Sequence, residues 1–251
     1  MRGMKGHPTN LLRWLDPPKR YGARIVLFAL AVVLLLGPLG LLVTQLTTTD
    51  PSLNDLDISA AEAFHPLVTD SPGLVVGLEV ISFIGSPPWF YFLLGGASIF
   101  LWIKHRRRIA IFIVVTGLMG GLVDTAVKYW VERPRPHIEN PVATAPANAF
   151  PSGHTMMSTI GYGILLLVFL PLVPRRWRIP ALLGALMLVW GIGVARLMLG
   201  VHFLTDVVGG FVLGIAWLIA ATVAFSLWRV EEGNKPVEPL EGLDPESLRD
   251  L

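Results

Sequence analysis

Six runs of apolar residues, each long enough to cross a bilayer, constrain this chain more than any other feature. A membrane-spanning helix needs about 20 residues, and lipid admits only helices or closed barrels because nothing else there satisfies the backbone. The runs cover residues 25–46, 87–103, 109–127, 152–173, 179–199 and 203–228. Charged residues make up only 15% of the 251-residue chain, where a soluble domain carries about 25%. The expected fold class is therefore all-α, a polytopic membrane protein with six transmembrane helices.

The first run does not read as a cleaved signal. Residues 25–43 give 19 apolar positions, longer than a signal core, and no small-x-small site follows clearly. Residues 73–103 are too long for one simple span and are interrupted by Ser86, Pro87 and Pro88. Two readings are open, one Pro-kinked helix or an interfacial helix up to about residue 84 followed by a span from 87; the second is preferred, because consecutive prolines start helices more readily than they sit inside them. The absence of cysteine excludes disulfides, Cys-ligated zinc and thiol catalysis.

Lysine and arginine counts in the short loops set the orientation. Residues 1–24 carry Arg2, Lys5, Arg13, Lys19, Arg20 and Arg24 against Asp16 alone. Lys104 to Arg108 and Arg175 to Arg178 form two further basic hinges. Residues 47–72 hold Asp50, Asp55, Asp57, Glu62 and Asp70 with no lysine or arginine. The organisation expected is a basic cytoplasmic N-terminus (1–24), a membrane domain (25–228) whose residues 47–85 supply an outer loop and interfacial helix, and a mobile, net acidic cytoplasmic tail (229–251). Both termini then lie inside, and residues 128–151 and 200–202 face the extracytoplasmic side of the cell membrane.

Three polar clusters meet at that outer face: Lys128 to Pro136, Pro151 to His154, and Arg196 to Asp206. Pro, Ser and Gly open a helix, whose first N–H groups and dipole suit an anion. His154 follows at once, placed to exchange a proton. His202 and Asp206 are four apart, so on a helix they share a face and the carboxylate orients the imidazole. Arg196, six residues upstream across the Gly200 turn, offers a planar fork for phosphate oxygens. Asp124, one turn before Lys128, is costly in lipid and is expected to pair with it and orient it. Cations and a helix N-terminus can hold a transferring phosphoryl group without a metal, and no acidic cluster at the outer face suits Mg²⁺, so metal-independent chemistry without a cofactor is expected.

In this order, Lys-x6-Arg-Pro, Pro-Ser-Gly-His and Arg-x5-His-x3-Asp within six spans resemble the type 2 phosphatidic acid phosphatase (PAP2) superfamily, which also includes the vanadium haloperoxidases. The resemblance covers roughly residues 85–228. It implies that His202 is a nucleophile forming a phosphohistidine, that Asp206 orients it, and that His154 protonates the leaving group and then activates water. It assigns the phosphate to Lys128, Arg135, Ser152, Gly153 and Arg196; the support of Lys128 by Asp124 comes from their spacing alone. The implied activity is a lipid phosphatase. The expected partners are the bilayer and a phosphorylated lipid, with no nucleic acid. Undecaprenyl pyrophosphate leads, ahead of phosphatidate and phosphatidylglycerophosphate, because the site faces outward. Rival readings are a catalytically weak lipid-phosphate-binding protein and a lipid transporter or flippase.

One position departs from the pattern: Ala195 stands where the family usually has serine. The missing hydroxyl removes at most one hydrogen bond, about 0.5–1.5 kcal/mol, so reduced activity or altered packing is expected rather than a dead enzyme. Arg133 competes with Arg135 for the Arg-Pro position. The six-residue spacing from Lys128 favours Arg135 and leaves Arg133 as a headgroup or surface contact. The glycine pairs at 95–96, 120–121 and 209–210 read as close helix packing.

Overall fold

Proline marks the start of each helix in the outer segment. The computed structural model describes residues 51–64, 66–69, 71–136, 143–146 and 148–248. Its first helices are α1 (Pro51–Phe64), α2 (Pro66–Thr69), α3 (Pro72–Phe83) and α4 (Pro87–Ile103), each with proline at the first position, where no N–H is needed. Ser86 caps α4, its hydroxyl accepting the Trp89 N–H at 3.3 Å. The break expected at Ser86-Pro87-Pro88 is thus the junction of two helices.

The chain continues through α5 (Arg107–Val131), α6 (Gly153–Phe169, extended by a 3-10 turn at Leu170–Leu172), α7 (Arg175–Met198), α8 (Leu204–Glu231) and the short α9 (Pro245–Leu248). No strand occurs among the described residues. Helices α5, α6 with its extension, α7 and α8 are each long and apolar enough to cross a membrane, and α4 is a shorter apolar helix. These five coincide with the last five expected spans. The first expected span, at 25–46, and the basic N-terminus lie outside the described residues.

The hub is α6, which packs against α4, α5, α7 and α8. Met156, Met157, Ile160, Ile164 and Val168 along it are all essentially inaccessible. Missing side chains let its neighbours close in: a Cβ on Gly161 would lie 2.0 Å from the Phe90 ring, and one on Gly210 would lie 2.7 Å from the Ser152 carbonyl oxygen. Gly120, Gly121 and Gly209 are close-packed in the same way, but Gly95 and Gly96 have nothing within 4 Å and make no such contact.

The tail differs from the mobile segment expected. Residues 232–248 fold back over the end of the bundle that carries both basic hinges. Glu241 pairs with Arg178 at 2.8 Å and Arg175 at 2.9 Å, and Asp244 with Arg229 at 2.5 Å. Glu232 pairs with Arg108. Leu243 and Leu248 are fully buried, and the Leu243 N–H donates to the Leu167 carbonyl at 2.7 Å. Burying each leucine stabilises by about 1.5–3 kcal/mol. A chain ending at Glu231 should therefore lose several degrees of thermal stability in detergent, read as the unfolding midpoint; an unchanged midpoint would mean the clasp contributes nothing.

Candidate active site

Because the spans alternate, the ends of α5, α7 and the starts of α6, α8 meet at the bundle end opposite the tail. Lys128 is in the last turn of α5. Its ammonium donates to Asp124 Oδ1 at 2.6 Å and to the Pro151 carbonyl at 2.7 Å. The i, i+4 pair expected from the sequence is present, and it also ties α5 to the start of α6. Gly153 sits against both groups: a Cβ there would lie 3.1 Å from Lys128 Nζ and from Asp124 Oδ2.

Ser152 occupies the N-cap position of α6, yet its hydroxyl makes no cap bond. It accepts from Thr155 Oγ1 at 3.1 Å, and the Ser152 N–H donates to the Asp206 carbonyl at 3.0 Å. Pro-Ser-Gly-His and the His202–Asp206 segment are thereby joined through backbone. His154 follows in the first turn of α6, half-buried, within electrostatic range of Arg196, His202, Lys128 and Arg135.

His202 does not share a helix face with Asp206, as the four-residue spacing suggested. It lies in the turn after α7, where Gly200 takes φ 72°, and α8 begins only at Leu204. Asp206 is instead in the first turn of α8, and its Oδ2 accepts the Phe203 N–H at 2.9 Å. That carboxylate oxygen stands 3.4 Å from His202 Nδ1, a contact without hydrogen-bond alignment. Burial pushes the His202 imidazole down to about 4, the Asp206 charge only partly offsetting it. The ring is neutral at pH 7, the state a nucleophile requires.

Arg135 reaches His202 from the irregular segment after α5. Its guanidinium donates to the Val201 carbonyl at 2.6 Å and to the Pro146 carbonyl at 2.8 Å, and lies 3.2 Å from His202 Nε2. Arg196, at the end of α7, is only 8% exposed, and its Nε has no hydrogen-bond partner among the described residues. A buried guanidinium nitrogen left without an acceptor calls for an anion or water. Arg196 and His154 line a cavity of about 590 Å³ shared with Glu79, Ser82, Phe83 and Ser86. Lys128, Arg135, His154, Arg196 and His202 are thus gathered from distant parts of the chain.

Arg133 is not the headgroup or surface contact expected. Its guanidinium bridges two fully buried carboxylates, Asp57 at 2.6 Å and Asp206 at 2.5 Å, and also donates to Thr205 Oγ1 at 2.7 Å. Asp57 in α1 accepts from the Thr205 N–H at 2.9 Å and the Thr205 hydroxyl at 2.5 Å. Sequence reasoning missed this support of Asp206; the only signal was a second arginine two residues before Arg135. Ala195 is buried in a small apolar cluster with Val68, Leu78, Leu199 and Val201, so the departing position packs α7 against the outer segment.

Fold and site together define a helical membrane protein with a cationic, histidine-bearing pocket at one end of its bundle. The family model for the PAP2 superfamily matches residues 96–229, and the chain belongs to that superfamily. It is 35% identical over 97 residues to phosphatidylglycerophosphatase B of Bacillus subtilis, an alignment taking in 38% of this chain and 47% of that protein. The chain thus matches about half the length of that relative. Its fold is similar to the crystal structure of a transmembrane PAP2-type phosphatidylglycerolphosphate phosphatase from Bacillus subtilis, with a TM-score of 0.68 at 23% identity, over 75% of this chain and 92% of that one.

Proposed function

We propose that this protein is a lipid phosphatase that removes a terminal phosphate from a phosphorylated membrane lipid at the extracytoplasmic surface of the cell membrane. The observation that carries the reading is the convergence of Lys128, Arg135, His154, Arg196 and His202, with Arg196 Nε unpartnered among the described residues. The phosphoryl oxygens bind Arg196, Arg135, Lys128 and the start of α6. His202 Nε2 attacks phosphorus in line, Asp206 stabilises the imidazolium that forms, and His154 gives a proton to the departing oxygen. Water, activated by His154, then cleaves the phosphohistidine. Arg135 must release Nε2 first, which a bound phosphate does by taking over its donors.

Phosphatidylglycerophosphate is the foremost substrate on this reading, supported by the names of the Bacillus subtilis proteins. Undecaprenyl pyrophosphate, favoured by the outward-facing site alone, and phosphatidate follow. Release of phosphate from each lipid by the purified protein, beside His202→Ala and His154→Ala, tests the assignment; a parent inert on all three would overturn it. No group of three His, Asp or Glu able to hold a metal occurs among the described residues. The charge-stabilising groups are all organic cations, so phosphate release should stay within about twofold in excess EDTA. Loss that Mg²⁺ restores would overturn the metal-independent mechanism.

A further inference from the structure

We propose that the groove between α5 and α8, at the bundle end that carries the basic hinges, binds one acyl chain of an anionic glycerophospholipid whose phosphate sits on Arg108. The inference rests on the membrane fold and not on the phosphatase reading.

The two helix faces that meet there are patterned for a trough. On α8, Trp217, Ala220, Ala221, Ala224 and Trp228 fall at i, i+3, i+4, i+7 and i+11. They share one face, on which two large rings enclose three small side chains. Phe112, Val115 and Thr116 of α5 form the facing wall, and the apolar groove between them measures about 280 Å³. The Trp217 indole N–H donates to the Thr116 carbonyl at 2.9 Å, so it is not offered to a ligand. From Trp217 to Trp228 the groove runs about 16 Å along the helix, roughly half of a hydrocarbon core about 30 Å thick. That is the depth of a single leaflet.

A chain of rings leads from the groove to a cation. Phe112 and Phe225 stand 5.1 Å apart, Phe225 and Trp228 5.7 Å apart, and the Arg108 guanidinium lies 5.9 Å over the Trp228 ring. Arg108 is half-exposed and pairs with Glu232, and Arg107 adjoins it. A guanidinium has five N–H donors, so Arg108 can hold that carboxylate and a phosphate together.

A trough one leaflet deep, apolar along its length and cationic at its mouth, complements a lipid with an anionic head. A helix is about 10–12 Å across and lies over such a trough rather than within it. The chain's own apolar run at 25–46 is also a poor match by charge. It is followed by α1, which docks on the start of α8, so crossing the bilayer would bring Arg20 and Arg24 to the hinge end, against Arg107 and Arg108.

The test titrates phosphatidylglycerol or phosphatidylcholine onto the purified full-length protein in detergent and counts bound lipid by native mass spectrometry. The parent is compared with Arg108→Gln, Arg108→Lys and Ala224→Leu. The parent should bind phosphatidylglycerol about tenfold more tightly than phosphatidylcholine, and Arg108→Gln should cut that preference about fivefold, the effect of one arginine beside an anionic headgroup. Arg108→Lys should keep most of it. Ala224→Leu, at an exposed position, should fill the trough and weaken both lipids. A parent without preference overturns the site. So do variants that bind as the parent does, the result expected if lipid is held only in the catalytic pocket. A disulfide formed by Ala224→Cys, in this cysteine-free chain, would give the groove to another occupant and overturn it too: to a second copy if the chains are linked, or to the first apolar run if the partner is a cysteine placed within residues 25–46.

Discussion

Replacing His202 by alanine should abolish phosphate release from every lipid, while His154→Ala should cost most on substrates whose leaving group needs a proton. The two histidines differ in what they do to the reacting bonds. His202 forms the bond to phosphorus, and no other neutral nucleophile stands in its place. The loss in kcat should reach about 10⁴ or more and be the same for esters and pyrophosphates. His154 assists the bond that breaks and then activates the water that hydrolyses the phosphohistidine. A lipid alkoxide is a poor leaving group and depends on that proton, so about 10²–10⁴ should be lost on a phosphomonoester. A phosphate leaves readily without one, so on a pyrophosphate the same variant should lose less, keeping only the part of the loss due to water activation. Phosphate release with both variants on a monoester and a pyrophosphate lipid gives the comparison. Equal losses for His154→Ala on the two classes would remove it from the leaving-group side, and residual turnover in His202→Ala would remove the phosphohistidine.

What the sequence made legible follows from how local each feature is. The five described spans, the Asp124–Lys128 pair and the helix start at Gly153 depend on residues within one or two turns, where composition and spacing are enough. The joint motif pattern carried the longer-range inference that Lys128, His154 and His202 meet. Asp57 shows where such reasoning stops. It is one of five acidic residues in a loop that reads as a uniform outer segment. Its distinction comes from a contact 148 residues away, with Thr205, and no local pattern encodes that. The tail fails for the same reason: Leu243 and Leu248 are two leucines in a polar stretch, and only their place in the bundle's main apolar cluster makes them core. Spacing also misled once. His202 and Asp206 are placed by a glycine turn and a helix first turn, not by one helical face.

Removing Arg133 should be the most destabilising single change near the site, and more so than removing Asp57. Arg133→Ala leaves Asp57 and Asp206, both fully buried, as two neighbouring carboxylates without the guanidinium that bridges them. Breaking a buried pair in this way costs about 3–5 kcal/mol. Asp57→Asn leaves Arg133 paired with Asp206, and its amide oxygen can still accept from Thr205, so about 1–2 kcal/mol is expected. Arg133→Lys should not restore the parent, because one ammonium cannot reproduce a fork that bridges two carboxylates and a hydroxyl. The order extends to catalysis. Asp206 is held by Arg133 on one oxygen and by the Phe203 N–H on the other, and the second contact is what leaves it facing His202. With Arg133 gone, Asp206 is free to turn or to take up a proton, and kcat should fall while KM for the lipid changes little, since neither residue touches the phosphate. Thermal unfolding in detergent and the split between kcat and KM for Arg133→Ala, Arg133→Lys and Asp57→Asn decide the matter. A parent-like Arg133→Ala would show that Asp206 needs no support from α1, and a rise in KM alone would place Arg133 on the substrate instead.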